Sequence, residues 1–158
     1  MSRINSKAIW KRMIKIKKCA NRYRILAIKR YDYLDRLDGQ IQDNPDGAGG
    51  ERERIHRVVD KMQNAKERAW KLDEIHRKYM GVLGNAVARE RYGLIKGARL
   101  HVVERLPEHL GGLKEYDMTV RGFTCQHPQE HLLIYGKNTT GSTCYFVASA
   151  NLIEWKVI

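Results

Sequence analysis

No apolar run in this sequence approaches twenty residues, so no segment has the length of a membrane-spanning helix. Cysteine is scarce: Cys19, Cys125 and Cys144 are an odd number at scattered spacing, which argues against a secreted disulfide framework and for a reducing compartment. Lysines at 11, 15, 17 and 18 interrupt what would have to be the apolar core of a signal peptide, so a cytoplasmic protein is expected. Acidic residues are missing altogether from the first 31 positions, which hold 11 Lys and Arg. Proline and glycine are absent from residues 8 to 38, so nothing there interrupts a helix.

Catalytic patterns are lacking too. The sequence has no P-loop, no dinucleotide-binding glycine pattern and no G-x-S-x-G, and Gly111-Gly112 has neither a lysine nor a helical pattern after it. His56, His76, His101 and His109 have no carboxylate or nucleophile at helical or strand spacing. Cys125, His127, His131 and Cys144 are four metal-ligating side chains inside twenty residues, but only His127-x3-His131 has the spacing of a zinc knuckle. A buried cysteine and a loop histidine account for the same residues. No enzyme, cofactor or metal is therefore expected.

What is present is positive charge. The net charge is +12 and the pI about 9.8, which points to a polyanion or an acidic protein surface as partner. The excess is uneven. Residues 1 to 47 carry 12 basic against 5 acidic side chains, residues 48 to 92 carry 11 against 7, and residues 93 to 158 carry 7 against 6.

Residues 8 to 41 place Ile9, Met13, Ile16, Ala20, Tyr23, Ala27, Leu34, Leu37 and Ile41 at alternating steps of four and three, broken only by Arg30. That period, near 3.5 residues, predicts one helix with an apolar seam, roughly 50 Å long at 1.5 Å per residue. Asn44-Pro45-Asp46-Gly47 predicts a reversal. The period resumes through Ile55, Val58, Met62, Ala65, Ala69, Leu72, His76, Tyr79 and Leu83, with Gly81 and Gly84 read as the helix end. Two helices of matching length and seam predict an antiparallel coiled-coil hairpin over 1–92. Trp10, Ile14, Ile25 and Ile28 fall off the seam, as do Trp70 and Ile75. They are candidate protein-interaction residues that the C-terminal domain, a second copy in a homodimer, or a foreign protein would cover. Lys11, Lys15, Lys18, Arg22 and Lys29 line up on the opposite side, and an acid-free cationic stripe is the pattern of a phosphate-backbone track.

From Lys96 the pattern changes to short β-like runs, Ala98–Glu104, Asp117–Thr124, Leu132–Gly136, Thr143–Ala148 and Leu152–Val157, so 93–158 is expected to form a small five-stranded β-barrel and the whole chain an α+β protein. The long first loop 106–112, three meander strands, and the short turn Ala148-Ser149-Ala150-Asn151 before a last strand resemble a Src-homology-3-like barrel. The resemblance implies a fold and not an activity. The first loop offers Glu108, His109 and Glu115 but no aromatic pair before Tyr116, unlike the proline-rich-peptide binders of that superfamily. Among Phe123, Tyr135, Tyr145, Phe146 and Trp155, alternation sends about half inward as core, and exposed members beside Arg121, Lys137 and Lys156 could stack bases.

Two functions follow. The first is a non-enzymatic protein that binds nucleic acid or a nucleoprotein complex through the basic helix. The second is a protein-interaction or inhibitor module, of a kind a phage would encode, set against a larger host machine such as a defence nuclease.

Overall fold

The computed structural model describes residues 5–43, 49–148, 150 and 153–158. Helix α1 runs Ser6–Asp43 and helix α2 Gly49–Tyr92; five strands follow, β1 Arg99–Arg105, β2 Leu113–Thr124, β3 Leu133–Asn138, β4 Thr143–Val147 and β5 Ile153–Val157. The predicted reversal at Asn44–Gly47 lies outside the described residues, as do Ser149 and Asn151 of the turn before β5. The chain divides into two compact units, one comprising Met1–Met13 and Arg77–Ile158, the other Ile14–His76.

In the unit Ile14–His76 the two helices run antiparallel. Arg24 pairs with Asp73, the Arg68 guanidinium lies over the Tyr23 ring 5.7 Å from its centroid, and Arg30 donates to the backbone carbonyl of Lys61. The predicted seam is the covered face: Ala20, Ala27, Leu37, Ala65 and Ala69 are buried, and Ile16, Tyr23, Leu34, Ile55, Val58, Met62 and Leu72 are half-buried.

The other unit is built on the sheet. Asn5 caps α1, its side-chain oxygen accepting from the Ala8 N–H at 2.8 Å, and the Glu90 carboxylate of α2 accepts from the Ser6 N–H at 3.0 Å and its hydroxyl at 2.6 Å. Both satisfy donors left open by the first helical turn, and the carboxylate also complements the positive end of the helix.

One expectation fails here. Gly81 and Gly84 do not end α2, which continues to Tyr92. A Cβ at Gly84 would stand 2.6 Å from the Phe123 carbonyl carbon and 2.7 Å from Thr124 Cα, so the glycine is what lets the helix lie directly on β2. A mid-helix glycine costs about 1 kcal/mol relative to alanine. Burial of Leu83, Val87 and Ala88 in the same stretch offsets it. The helix stops instead at Gly93, whose φ of +66° suits glycine, with the Leu94 N–H returning to the Ala88 carbonyl at 3.0 Å.

The strands form one antiparallel sheet in the order β4-β3-β2-β1-β5. Strand β2 pairs with β1 along its first half and with β3 along its second, with a register shift between Val120 and Gly122. It begins four residues earlier than the sequence pattern suggested, at Leu113, because 113–116 extend the ladder with β1. The sheet is not closed: among the described residues no ladder joins β4 to β5. Those edges meet through side chains, with Trp155 Nε1 donating to the Ala148 carbonyl at 3.1 Å and the Trp155 and Phe146 rings 6.3 Å apart. The hairpin turn predicted over 137–141 forms around Asn138, whose side-chain oxygen accepts from the Ser142 N–H and the Thr140 hydroxyl. Ile9 and Met13 of α1 and Leu83, Val87 and Ala88 of α2 pack into one core with Leu100, Val102, Met118, Val120, Phe123, Ile134 and Phe146.

Candidate nucleic-acid interface

Helix α1 has 3.6 residues per turn, which sets Lys15, Lys18, Arg22 and Lys29 within roughly 60° of one another around its axis. All four are exposed, and among the described residues none makes a hydrogen bond or ion pair through its side chain. They belong to the unit Ile14–His76; Lys11, also exposed, belongs to the other. The remaining basic residues of that part of α1 are engaged differently. Arg24 and Arg30 reach α2, and Lys17 stands close enough to His76 to disfavour its protonation. His76 titrates below its ordinary range because burial and then Lys17 oppose the charged ring, with Asp73 acting the other way.

The expected interaction residues differ in exposure. Trp10 is half-buried against the sheet core, its ring meeting the His127 ring edge-on at 4.6 Å. Ile14 is half-buried. Ile25 and Ile28 are exposed, at 52% and 60%. Ile28 shares a shallow groove of about 350 Å³ with Ala27, Ala69 and the exposed Trp70, rimmed by Arg24, Lys66 and Asp73.

Cys125, His127, His131 and Cys144 do not converge. Among the described residues no three His, Cys, Asp or Glu side chains are placed to hold a metal ion. Cys125 donates to the His127 carbonyl at 2.6 Å, His127 Nδ1 accepts from the Gln129 N–H, and Cys144 points at the Met118 sulfur 3.9 Å away. Burial pushes both thiols up, away from the thiolate that a nucleophilic role requires. The other histidine in a polar cluster, His101, sits 2.8 Å from Asp117 across the β1–β2 ladder, with Glu115 at 3.9 Å. Tyr116 donates to Glu104 at 2.6 Å, and burial first, then that carboxylate, raises its phenol above the ordinary range.

Of the barrel aromatics, Phe123 and Phe146 are buried, Trp155 is half-buried, and Tyr135 and Tyr145 face outward. Sequence alternation identified the pool but not the choice. Nor did it single out Arg99, which only the strand register brings to the same face.

No protein-family model matches the chain, and comparison with curated proteins and with solved structures gave no significant match.

Proposed function

We propose that this chain is a non-enzymatic nucleic-acid-binding protein that contacts the phosphate backbone through α1. The observation that carries the reading is the unpaired row Lys15, Lys18, Arg22 and Lys29, on a helix whose first acid is Asp32. A helix face that exists only to be solvated mixes charges of both signs, as α2 does with Glu51, Arg52, Glu53 and Arg54. Unpaired cations in a row instead raise the local potential for a polyanion, and each phosphate they neutralise releases condensed counterions.

The sheet belongs in this reading as a Src-homology-3-like module. Its strand order, with β1 between β2 and β5 and a meander through β2, β3 and β4, supports that assignment. The matching seams of α1 and α2 support a coiled-coil hairpin. The charge acts with the protein in the cytoplasm, where nucleic acid is the abundant polyanion.

The test is a titration of the full chain against duplex DNA, single-stranded DNA and RNA across a salt series. The variant carries Lys15→Glu, Lys18→Glu, Arg22→Glu and Lys29→Glu. Loss of four phosphate contacts makes the negative slope of log affinity against log salt shallower by roughly 3.6 on duplex DNA and roughly 2.8 on single strands. A variant that keeps its circular dichroism, its affinity and its slope would sink the proposal.

A second reading has its own observation. Ile28 and Trp70 flank an apolar groove whose charged rim suits a protein surface, so an interaction or inhibitor role would place the hairpin against a protein. Trp70→Ala would then abolish partner capture, while the four-glutamate variant would not.

A further inference from the structure

The outer face of the sheet at β3 and β4 carries two exposed tyrosines and an exposed lysine. Ile134 and Gly136 turn inward, so Tyr135 and Lys137 point out. The register sets Tyr135 beside Tyr145 on β4 and Lys137 beside Thr143; on the other side Gly122 lies opposite Tyr135, and Thr119 opposite Lys137. Thr119 is in turn paired with Arg99 of β1. Arg121 is the residue left out of the ladder at the register shift, and it is exposed.

Two features separate this face from an ordinary strand surface. The first is the seating of its rings. Tyr145, on the edge strand β4, is 69% exposed, and the phenol end of Tyr135 lies over Gly122, where any Cβ would run into it. A glycine inside a central strand weakens the strand and marks a close approach. Here it is the space that lets Tyr135 rest against the sheet.

The second is charge. Arg99, Arg121 and Lys137 are exposed, and among the described residues none has a hydrogen bond or ion pair through its side chain. The acids of the same face lie elsewhere along the sheet: Asp117 is held by His101, and Glu115 and Glu154 flank Val103 in the next row. The tyrosines therefore have free cations on their side of the sheet and no facing carboxylate.

We propose that this face binds a single-stranded nucleic acid, Tyr135 and Tyr145 stacking on bases while Arg99, Arg121 and Lys137 meet the phosphates. The strand state follows from the chemistry. Bases in a duplex have both faces covered by neighbours, whereas a single strand can lay splayed bases on rings carried by adjacent strands about 4.8 Å apart. Stacking on tyrosine tolerates every base, so the site selects for single strands more than for sequence. The site lies within the unit that carries the sheet, and the proposal does not rest on the α1 reading.

The experiment titrates the full chain with decathymidylate, with decauridylate and with an abasic decamer of the same phosphate count. Tyr145→Ala, at an exposed position, is expected to weaken binding of either base-bearing strand about tenfold and to leave the abasic strand unchanged. Tyr145→Phe keeps the ring face and stays within about twofold of the parent. The two base-bearing arms tell a DNA ligand from an RNA ligand. Equal affinity of Tyr145→Ala and the parent for both base-bearing strands overturns the proposal and leaves the face to a protein partner. Equal weakening on all three strands overturns it as well, because stacking is then not the contact. The α1 reading fails by a different sign, an unchanged salt slope in the four-glutamate variant, so the two failures are separable.

Discussion

The largest fully buried side chains, Phe123, Met13, Leu83, Leu94, Leu100, Leu132 and Ile134 among them, all belong to the unit that carries the sheet, whereas in Ile14–His76 the buried positions are Ala20, Ala27, Leu37, Ala65 and Ala69. An alanine seam lets helices approach closely but removes little apolar surface from water per residue, and hydrophobic stabilisation scales with that area at roughly 25 cal/mol per Å². The hairpin therefore holds itself together with little core, and keeps Ile25, Ile28, Tyr31 and Trp70 on its surface. Charge does not follow the same division: the unit that carries the sheet, with residues 1–13 and 77–92 included, holds 15 Lys and Arg against 7 Asp and Glu, and Ile14–His76 holds 15 against 11, the near balance being confined to residues 93–158. The two units therefore differ chiefly in packing.

Four substitutions or conditions sharpen that contrast. Phe123→Ala opens a cavity in the core under the sheet and is expected to cost about 4 kcal/mol. In thermal melts followed by circular dichroism the loss should appear in the sheet signal, and an unchanged melting temperature would contradict the core described above. Leu37→Ala removes the one large buried residue among the described residues of the hairpin seam, at about 2 kcal/mol. Hydrogen exchange should show faster amides in Ile14–His76 while those of β1 to β3 keep their protection. Uniform loss would mean that the two units unfold together.

The third test is pH. The folded state holds His76 below its ordinary value of 6.5, so below about that value the unfolded chain binds more protons than the folded one. The stability this residue contributes is present above that value and is lost as pH falls through the folded pKa. His76→Gln should flatten the dependence of the melting temperature on pH in that window. The smallest effect is chemical: exposed Cys19 should react with a maleimide well before Cys125 and Cys144, whose thiols are covered and pushed up. Mass spectrometry of the quenched peptides reads the order.

The helices were legible because a 3.5-residue period over some thirty residues leaves few alternatives, and every seam position named on α1 is covered to some degree. The strands were legible as runs, with boundaries set by their neighbours: β2 gained 113–116 because β1 was there to pair with them. Gly81 and Gly84 misled because glycine marks both helix ends and close approaches, and only the position of Phe123 tells which applies. Trp10 could be read only as an off-seam residue in need of cover, because its ring partner His127 is more than a hundred residues away in the chain.

The sequence by itself determined the two long helices, their facing seams, the acid-free basic row and the presence of short strands, because each is a local pattern whose period or charge needs no distant residue to define it. Tertiary structure alone decided which apolar residues stay on the surface, where α2 stops, and that Tyr135, Tyr145, Arg99, Arg121 and Lys137 share one face. Those outcomes depend on strand register and on the approach of helix to sheet, which are set by packing between residues far apart in the chain.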